Sequence, residues 1–420
     1  MRYLCAPDSF KESLTAAEAA RAMAEGIRRG DPDAEIRCLP MADGGEGTAR
    51  ALADATGGTM LTASAHDPLG RPVQAGFALL GDGRTAVVET AAASGLALLR
   101  PSERDPKATT SYGTGELIRA ALDAGAETII VGLGGSATND AGCGLLQALG
   151  VRLLDHDGRD VRPGGAALAE VERVDLSGLD RRLGDVHVIA ACDVTNPLTG
   201  PEGASAVFGS QKGASREDVT LLDGALRHVS SVIERALAEQ VPAERNGDGG
   251  KVEAAVAESS SPGHRSRPDH RSRPDHRTRT PIADHPGAGA AGGIGMALLA
   301  VLHADFRPGI DLVIEQSGLD AAVQWADIVF TGEGSIDAQT MFGKTPVGVA
   351  SVAKRHGKPV IAIAGHVGDG IECLHGRGID AVFGAAPGAA SLDELLRDAR
   401  ANVARTAEQV TRLMRIVRSH

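Results

Sequence analysis

The stretch Tyr3-Leu4-Cys5-Ala6-Pro7-Asp8-Ser9-Phe10-Lys11-Glu12-Ser13-Leu14-Thr15-Ala16-Ala17-Glu18 decides the fold. Its apolar start, Tyr3 to Ala6, stops at a proline and an acid, the composition of a strand that ends in a turn. Thr15 stands three residues before Glu18, a capping-box spacing, and an alanine-rich amphipathic run follows. A strand, a turn and a capped helix are the beginning of a β-α-β unit. Four other apolar runs end in the same way: Glu35 to Leu39, Ile328 to Thr331, Val360 to Ala364 and Asp380 to Phe383. Strands alternating with helices predict a parallel sheet of α/β class, and five of them make it flavodoxin-like.

Two of these runs lie near the start and three near the end, so the residues between them should form an inserted second domain. The expected division is a discontinuous flavodoxin-like domain, 1–60 plus 285–420, interrupted by a smaller mixed α/β domain, 61–244, and a low-complexity insertion, 245–284. Within the insert, Thr59 to Glu89 alternates around Asp67-Pro68-Leu69-Gly70 and Gly81-Asp82-Gly83, as antiparallel hairpins do. Helices are predicted over Gly115 to Ala124 and Ala141 to Leu149, and strands over Thr128 to Val131 and Val186 to Ala190. In the low-complexity segment, His264-Arg-Ser-Arg-Pro-Asp269 is repeated at His270 to Asp275 and more loosely at His276 to Pro281. Such a composition buries too little apolar surface to offset the entropy of ordering, which predicts a disordered linker. The other reading of the repeat is metal binding by His264, His270 and His276, or an anion-binding arm.

Composition narrows the function. At 420 residues the chain is long enough for two cores with a cleft between them. A formal net charge of -12 argues against a nucleic-acid partner, and aromatic residues, at 2%, are too few for base stacking. The five cysteines are scattered, with no C-x-x-C pair, so neither a disulfide framework nor a zinc site is indicated. The N-terminus meets a charge and a proline before a signal segment could form, and no apolar run approaches membrane-spanning length. A cytoplasmic protein with small-molecule partners and no membrane contact is expected, a homodimer being left open.

In open parallel sheets, ligands bind beyond the carboxyl ends of the strands. Ala6 to Lys11 follows the first run there, and Met41-Ala42-Asp43-Gly44-Gly45-Glu46-Gly47 follows the second. Acids beside glycines and a lysine suit phosphate and Mg²⁺, although a capped turn with solvated charges would look the same. The third run leads into Thr331-Gly332-Glu333-Gly334-Ser335-Ile336-Asp337 and then Gly343-Lys344-Thr345. This is no P-loop, because Ala338 stands where that motif requires glycine. Gly287 to Gly292 matches G-x-G-x-x-G, but no strand precedes it, so a dinucleotide site is disfavoured against a glycine-rich helix start lining the cleft. In the insert, Gly134-Gly135-Ser136-Ala137-Thr138-Asn139-Asp140 offers amides and hydroxyls to an anion, or caps to a helix. Asp193, at another strand end, is placed to act as a general base, while Cys192 reads as a small buried residue.

Many collinear segments carry a resemblance to a known family. They are APDSFKESLTA (Ala6 to Ala16), MADGGEGT (Met41 to Thr48), TTSYGTGELI (Thr109 to Ile118), GLGGSATNDAG (Gly132 to Gly142) and ACDVTNPLTGPEGAS (Ala191 to Ser205), continuing with FGSQKGA (Phe208 to Ala214), PGAGAAGGIG (Pro286 to Gly295), FRPGIDLV (Phe306 to Val313) and TGEGSIDAQTMFGKTP (Thr331 to Pro346). Together they resemble the type-1 glycerate kinases over nearly the whole chain. The resemblance implies a flavodoxin-like domain interrupted by a smaller α/β domain, with ATP, Mg²⁺ and D-glycerate meeting in the cleft and 2-phosphoglycerate, in preference to 3-phosphoglycerate, as product. The repeat before Gly287 is the main departure from the family pattern.

Phosphoryl transfer asks for positioning and charge stabilisation, so acids, lysines and glycine turns take the roles. Asp193 is the expected base, with Asp8 as the alternative, and Lys11 and Lys212 the expected stabilisers of the phosphoryl group. Asp43, Glu333 and Asp337 are assigned to Mg²⁺. Arg307 is assigned to the substrate carboxylate, together with Ser9, Ser136, Asn139 and Asp140 around the substrate. Gly44, Gly45, Gly287, Gly289, Gly332 and Lys344 are assigned to the nucleotide.

Overall fold

The structure, a computed structural model, describes residues 1–239, 280–341 and 343–418. The linker expected over 245–284, with its three histidines, lies outside them as far as residue 279. Strands β1 (Arg2–Cys5) and β2 (Glu35–Cys38) open the chain. Then come β3 (Thr59–His66), β4 (Pro72–Leu79), β5 (Thr85–Glu89), β6 (Thr128–Gly132), β7 (Arg152–Leu154), β8 (Arg173–Asp175), β9 (His187–Ala191) and β10 (Asp305–Arg307). Strands β11 (Ile328–Ile336), β12 (Val360–Val367) and β13 (Ala381–Gly384) close it.

The first sheet has the order β13-β12-β11-β1-β2, with every pairing parallel. Counted along the chain this is 2-1-3-4-5, the flavodoxin order, and its switch point falls between β1 and β11. Thr15 caps the helix Ala16–Gly30: its side chain accepts from the Glu18 amide, and Glu18 returns the bond. That helix packs on the long helix Ala399–Arg418 over one face of the sheet, around Tyr3, Met23, Ile27 and Phe330.

The second sheet runs β10-β9-β6-β5-β4-β3. Strands β10, β9, β6 and β5 pair in parallel, and β4 and β3 continue as antiparallel hairpins. Strands β7 and β8 form a separate two-stranded ribbon. Helices Thr48–Thr56 and Gly309–Ser317 lie between the two sheets, and one apolar cluster joins Leu4, Val329 and Val360 to Leu52, Leu312, Ala78, Val87 and Ile130. The two units therefore share a core layer. No helix among the described residues is long and apolar enough to cross a membrane.

The boundary expected at residue 285 is displaced. Residues Ile282 to Arg307, most of them grouped with the first sheet on sequence grounds, sit with the second. The helix Ala290–Ala300 buries Ile294, Met296 and Leu298 completely in that unit's core, and β10 pairs with β9. A helix apolar on all sides needs cover on all sides, and only the second unit encloses it. Strand β10, three residues with charged ends, carries no periodicity from which to be read.

Candidate active site

One wall of the site is the switch-point edge of the first sheet. Beyond β1, the Ala6 amide donates to the Phe330 carbonyl at 2.7 Å and the Asp8 amide to the Gly332 carbonyl at 2.8 Å, which extends the ladder to the acid itself. Asp8 Oδ1 accepts from the Ser9 amide at 2.6 Å and Oδ2 from Thr345 Oγ1 at 2.5 Å. Burial, and then the neighbouring Asp43, push the Asp8 carboxyl up to about 6 against those bonds. Glu333, on β11, accepts from Thr340 Oγ1 at 2.9 Å and pairs with Lys344 at 3.5 Å. Burial also raises Glu333, with Asp8 adding to the effect while Lys344 and Thr340 oppose it. Asp43 Oδ1 holds the Gly45 amide at 3.0 Å. Lys11 is exposed on the turn after Phe10, and the amide of Asp337 donates to Thr340 Oγ1 at 3.3 Å.

The facing wall comes from the second sheet. After β6 the chain turns through Leu133-Gly134-Gly135-Ser136, and Lys212 reaches in from the short helix Ser210–Lys212. Lys212 is 2% exposed; its Nζ donates to Ser136 Oγ at 2.8 Å and to the Thr138 carbonyl at 2.7 Å. Burial pushes this ammonium down to about 7, opposed only by Asp140. After β9, Asp193 Oδ1 accepts from the Gly309 amide at 2.9 Å. Partial withdrawal from water raises Asp193, Gly309 opposes, and Asp43 and Asp311 add to the rise. A cleft of about 370 Å³ between the walls is lined by Asp43, Gly44, Gly45, Ser136, Asp193 and Lys212, with Cys192, Gln211 and Ala291 beside them.

Other residues read from the sequence stand differently. Asp140 is buried beneath the Gly134–Asp140 turn and accepts from the Ser111 amide and hydroxyl and from the amides of Gly142 and Gly144, an anchor for the loop. Asn139 donates to Ser205 Oγ at 2.8 Å while its Oδ1, like Thr138 Oγ1, is buried without a partner. Arg307 does not line the cleft; its guanidinium pairs with Glu315 at 2.6 Å. The Gly289 amide donates to the Asn196 carbonyl at 3.0 Å, and Gly287 lies against the Phe306 ring, so both support the turn that carries Ala291. Gly332 lets β11 approach β12, where a Cβ would stand 2.0 Å from the Ile363 carbonyl oxygen. Cys192 donates to the Val194 carbonyl and burial raises its thiol, which argues against a nucleophilic thiolate there.

Glu89 was not singled out from the sequence. It ends β5 and accepts from the amides of Ala49 at 2.7 Å and Gly47 at 3.2 Å, tying the Asp43 loop and the following helix to the second sheet. Its position at the end of the apolar run Ala86-Val87-Val88 is the signal that marks it. Gly309 was also missed: a Cβ on Gly44 would come 2.5 Å from the Gly309 Cα, and one on Gly309 would come 2.3 Å from the Asp43 carbonyl oxygen. The two backbones cross in direct contact.

Residues 3–415 match the model of the glycerate kinase family. The chain belongs to that family. This kinase is 46% identical over 419 residues to a glycerate kinase of Bacillus subtilis, covering 100% of the present chain and 99% of the relative. It is 44% identical over 416 residues to the glycerate 2-kinase of Escherichia coli, covering 99% and 98%. A crystal structure from Salmonella typhimurium LT2, provisionally named glycerate kinase 2, superposes with a TM-score of 0.82 at 45% identity and covers all of both chains. In this kinase the two walls are of opposite chemistry: three carboxylates gathered at one sheet edge, and a buried ammonium with hydroxyls at the other.

Proposed function

We propose that this kinase transfers the γ-phosphoryl group of ATP directly to a hydroxyl of D-glycerate in the cleft between the two sheets, 2-phosphoglycerate being favoured over 3-phosphoglycerate. The observation that carries the reading is Lys212, a buried ammonium whose hydrogen bonds among the described residues go to a hydroxyl and a carbonyl, facing acids across a space of about 370 Å³. Asp140 acts on it without a hydrogen bond, so an anionic substrate would be its first hydrogen-bonded negative partner. The name of the Escherichia coli relative, glycerate 2-kinase, supports the 2-hydroxyl. The cytoplasm is the proposed place of action.

In the proposed reaction the substrate oxygen attacks phosphorus, the bond from phosphorus to the bridging oxygen of ADP breaks, and the hydroxyl proton passes to Asp193. Asp193 suits this role because only Oδ1 is engaged, by the Gly309 amide, and its raised pKa makes it a better base than a free carboxylate. Asp8 suits it less, since both of its oxygens already accept hydrogen bonds. Lys212 holds negative charge as it develops on the transferring group, with Ser136 fixing the ammonium. Lys11, exposed at the first sheet's edge, is the second cation within the proposal.

Oxygen ligands crowded beyond what nearby cations neutralise suit a hard divalent ion. Burial raises Asp8 and Glu333, with Asp43 and Asp8 respectively adding to the rise, and such acids suit a Mg²⁺ held by one or two carboxylates together with substrate phosphates. Asp43, Glu333 and Asp337 would hold it, and bound Mg²⁺ would neutralise phosphate oxygens.

The test is coupled measurement of ADP release with ATP, Mg²⁺ and D-glycerate, against L-glycerate and an acceptor-free control, with the product identified by phosphorus NMR. Release that depends on D-glycerate and yields the 2-phosphate is the expected result. Release no faster than in the control would reject the substrate.

A further inference from the structure

Cys5 and Cys38 are distant in sequence, yet β1 and β2 pair them residue to residue at the ends of both strands. Neighbouring strands run about 4.8 Å apart, inside the roughly 4.4–6.8 Å between Cα atoms that a disulfide spans. Paired positions direct their side chains to the same face of a sheet. Here that face lies beneath the helix Ala16–Gly30: Cys5 is fully buried in the cluster with Ala20 and Met23, and Cys38 Sγ donates to the Ala20 carbonyl at 3.5 Å. Cys38 stands on an edge strand and is exposed.

The two thiols also hydrogen-bond to each other. That bond, with Arg28 and Arg21 nearby, draws Cys38 down to about 7 against its partial burial, while Cys5 is held high by the same bond and by burial. An exposed thiol with thiolate character beside a buried second thiol is the arrangement of an attacking and a resolving cysteine. The remaining cysteines lack a cysteine paired with them across neighbouring strands: Cys143 lies in the helix Cys143–Ala148, Cys192 follows β9 and Cys373 lies in the helix Glu372–His375.

The strand ends that carry these cysteines lead straight into the site. The Leu39 amide donates to the Cys5 carbonyl at 2.8 Å and the Met41 amide to the Pro7 carbonyl at 2.9 Å, so the two segments stay joined until they deliver Asp8 and Asp43. We propose that Cys5 and Cys38 form a reversible thiol–disulfide pair that a hydroperoxide closes, and that closure slows phosphoryl transfer by displacing those two strand ends. The Cys38 thiolate attacks one peroxide oxygen, the O–O bond breaks, and Cys38 becomes a sulfenic acid as hydroxide leaves and is protonated to water. Cys5 sulfur then attacks Cys38 sulfur, the S–S bond forms, the S–O bond breaks, and the departing hydroxide takes the Cys5 proton as a second water. Two thiols lose two electrons and the peroxide gains them. Most disulfides hold their Cα atoms about 5.5–6 Å apart, farther than the roughly 4.8 Å between the strands, so closure spreads the two strand ends by up to about 1 Å.

The test uses the reduced, full-length protein exposed to hydrogen peroxide, read by intact mass, peptide mapping and ADP release before and after dithiothreitol. The expected result is a mass lower by two hydrogens, a cross-linked Cys5–Cys38 peptide, and turnover about tenfold lower, restored by the reductant. Cys38→Ser should keep basal activity and resist peroxide. Cys5→Ala should stop at a Cys38 sulfenic acid that dimedone traps, which keeps the chemistry testable without the second thiol. Oxygen gained at Cys38 with no cross-link, a cross-link with unchanged turnover, or equal inactivation of Cys38→Ser would each overturn the proposal. Because the cross-link is read by mass, its failure is separate from any failure of the glycerate assignment.

Discussion

The two walls of the cleft differ in how their charges are balanced. On the first sheet, Asp8, Asp43 and Glu333 crowd together with Lys344 as the cation in contact, and burial raises two of the three acids. On the second, Lys212 is buried against neutral oxygens and driven the opposite way. Each wall alone is an electrostatic liability. Under the proposed reaction a cation fills one side and an anion the other, which would relieve both walls at once.

The most severe way to break this comparison is to remove the acid that stands on the second wall beside Lys212. Asp193→Asn should lower kcat by about a thousandfold with little change in the KM for glycerate; an unchanged kcat in steady-state assays would eliminate it as the base. Lys212→Met should cost about a hundredfold in kcat/KM. The same variant should also stabilise the ligand-free protein. The folded Lys212 pKa of about 7 lies below that of a free lysine, so the unfolded chain binds more protons between roughly 7 and 10. The wild type thus gains stability as pH rises through that window. The advantage of Lys212→Met should be full below pH 7 and vanish near pH 10, as thermal unfolding at several pH values would show.

The first wall answers to smaller changes. Asp8→Asn should stabilise the metal-free protein by on the order of 2 kcal/mol above pH 6. The sign follows from a folded pKa of about 6 lying above that of a free aspartate, so the cost of the buried charge is full above 6 and fades as pH falls toward 4. Urea unfolding at pH 7.5 and 4.5 reads the difference. Glu333→Gln should raise the Mg²⁺ concentration needed for half-maximal rate by about tenfold. Glu89→Ala, which leaves the Gly47 and Ala49 amides without their acceptor, should lower stability by about 1 kcal/mol in the same urea experiment.

The flavodoxin order was legible because its strands are short apolar runs stopped by Gly, Asp or Pro, and because Thr15 and Glu18 mark a helix start without ambiguity. Strand β10 was not, since Asp305-Phe306-Arg307 becomes a strand only through pairing with β9. In the site, Asp43 and Asp193 could be reached from the rule that ligands gather past strand ends, while Lys212, in the short helix Ser210–Lys212, entered with the segment FGSQKGA. Ser136 and Asp140 show where that rule stops. They belong to one turn, but one lines the cleft and the other points down to hold Ser111, a difference set by long-range packing. Arg307 has the right chemistry for a carboxylate and already has one, Glu315, supplied by a neighbouring helix.

The crossing of Gly44 and Gly309 constrains how this sequence can change over time. A side chain at either position would enter the other's backbone. Neither residue can shrink to make room, because each is already the smallest available. No substitution at one glycine can prepare the way for a substitution at the other. Two segments separated by most of the chain are thus locked in mutational history as well as in space, and a lineage leaving this arrangement would have to move a whole loop before it could change a single letter.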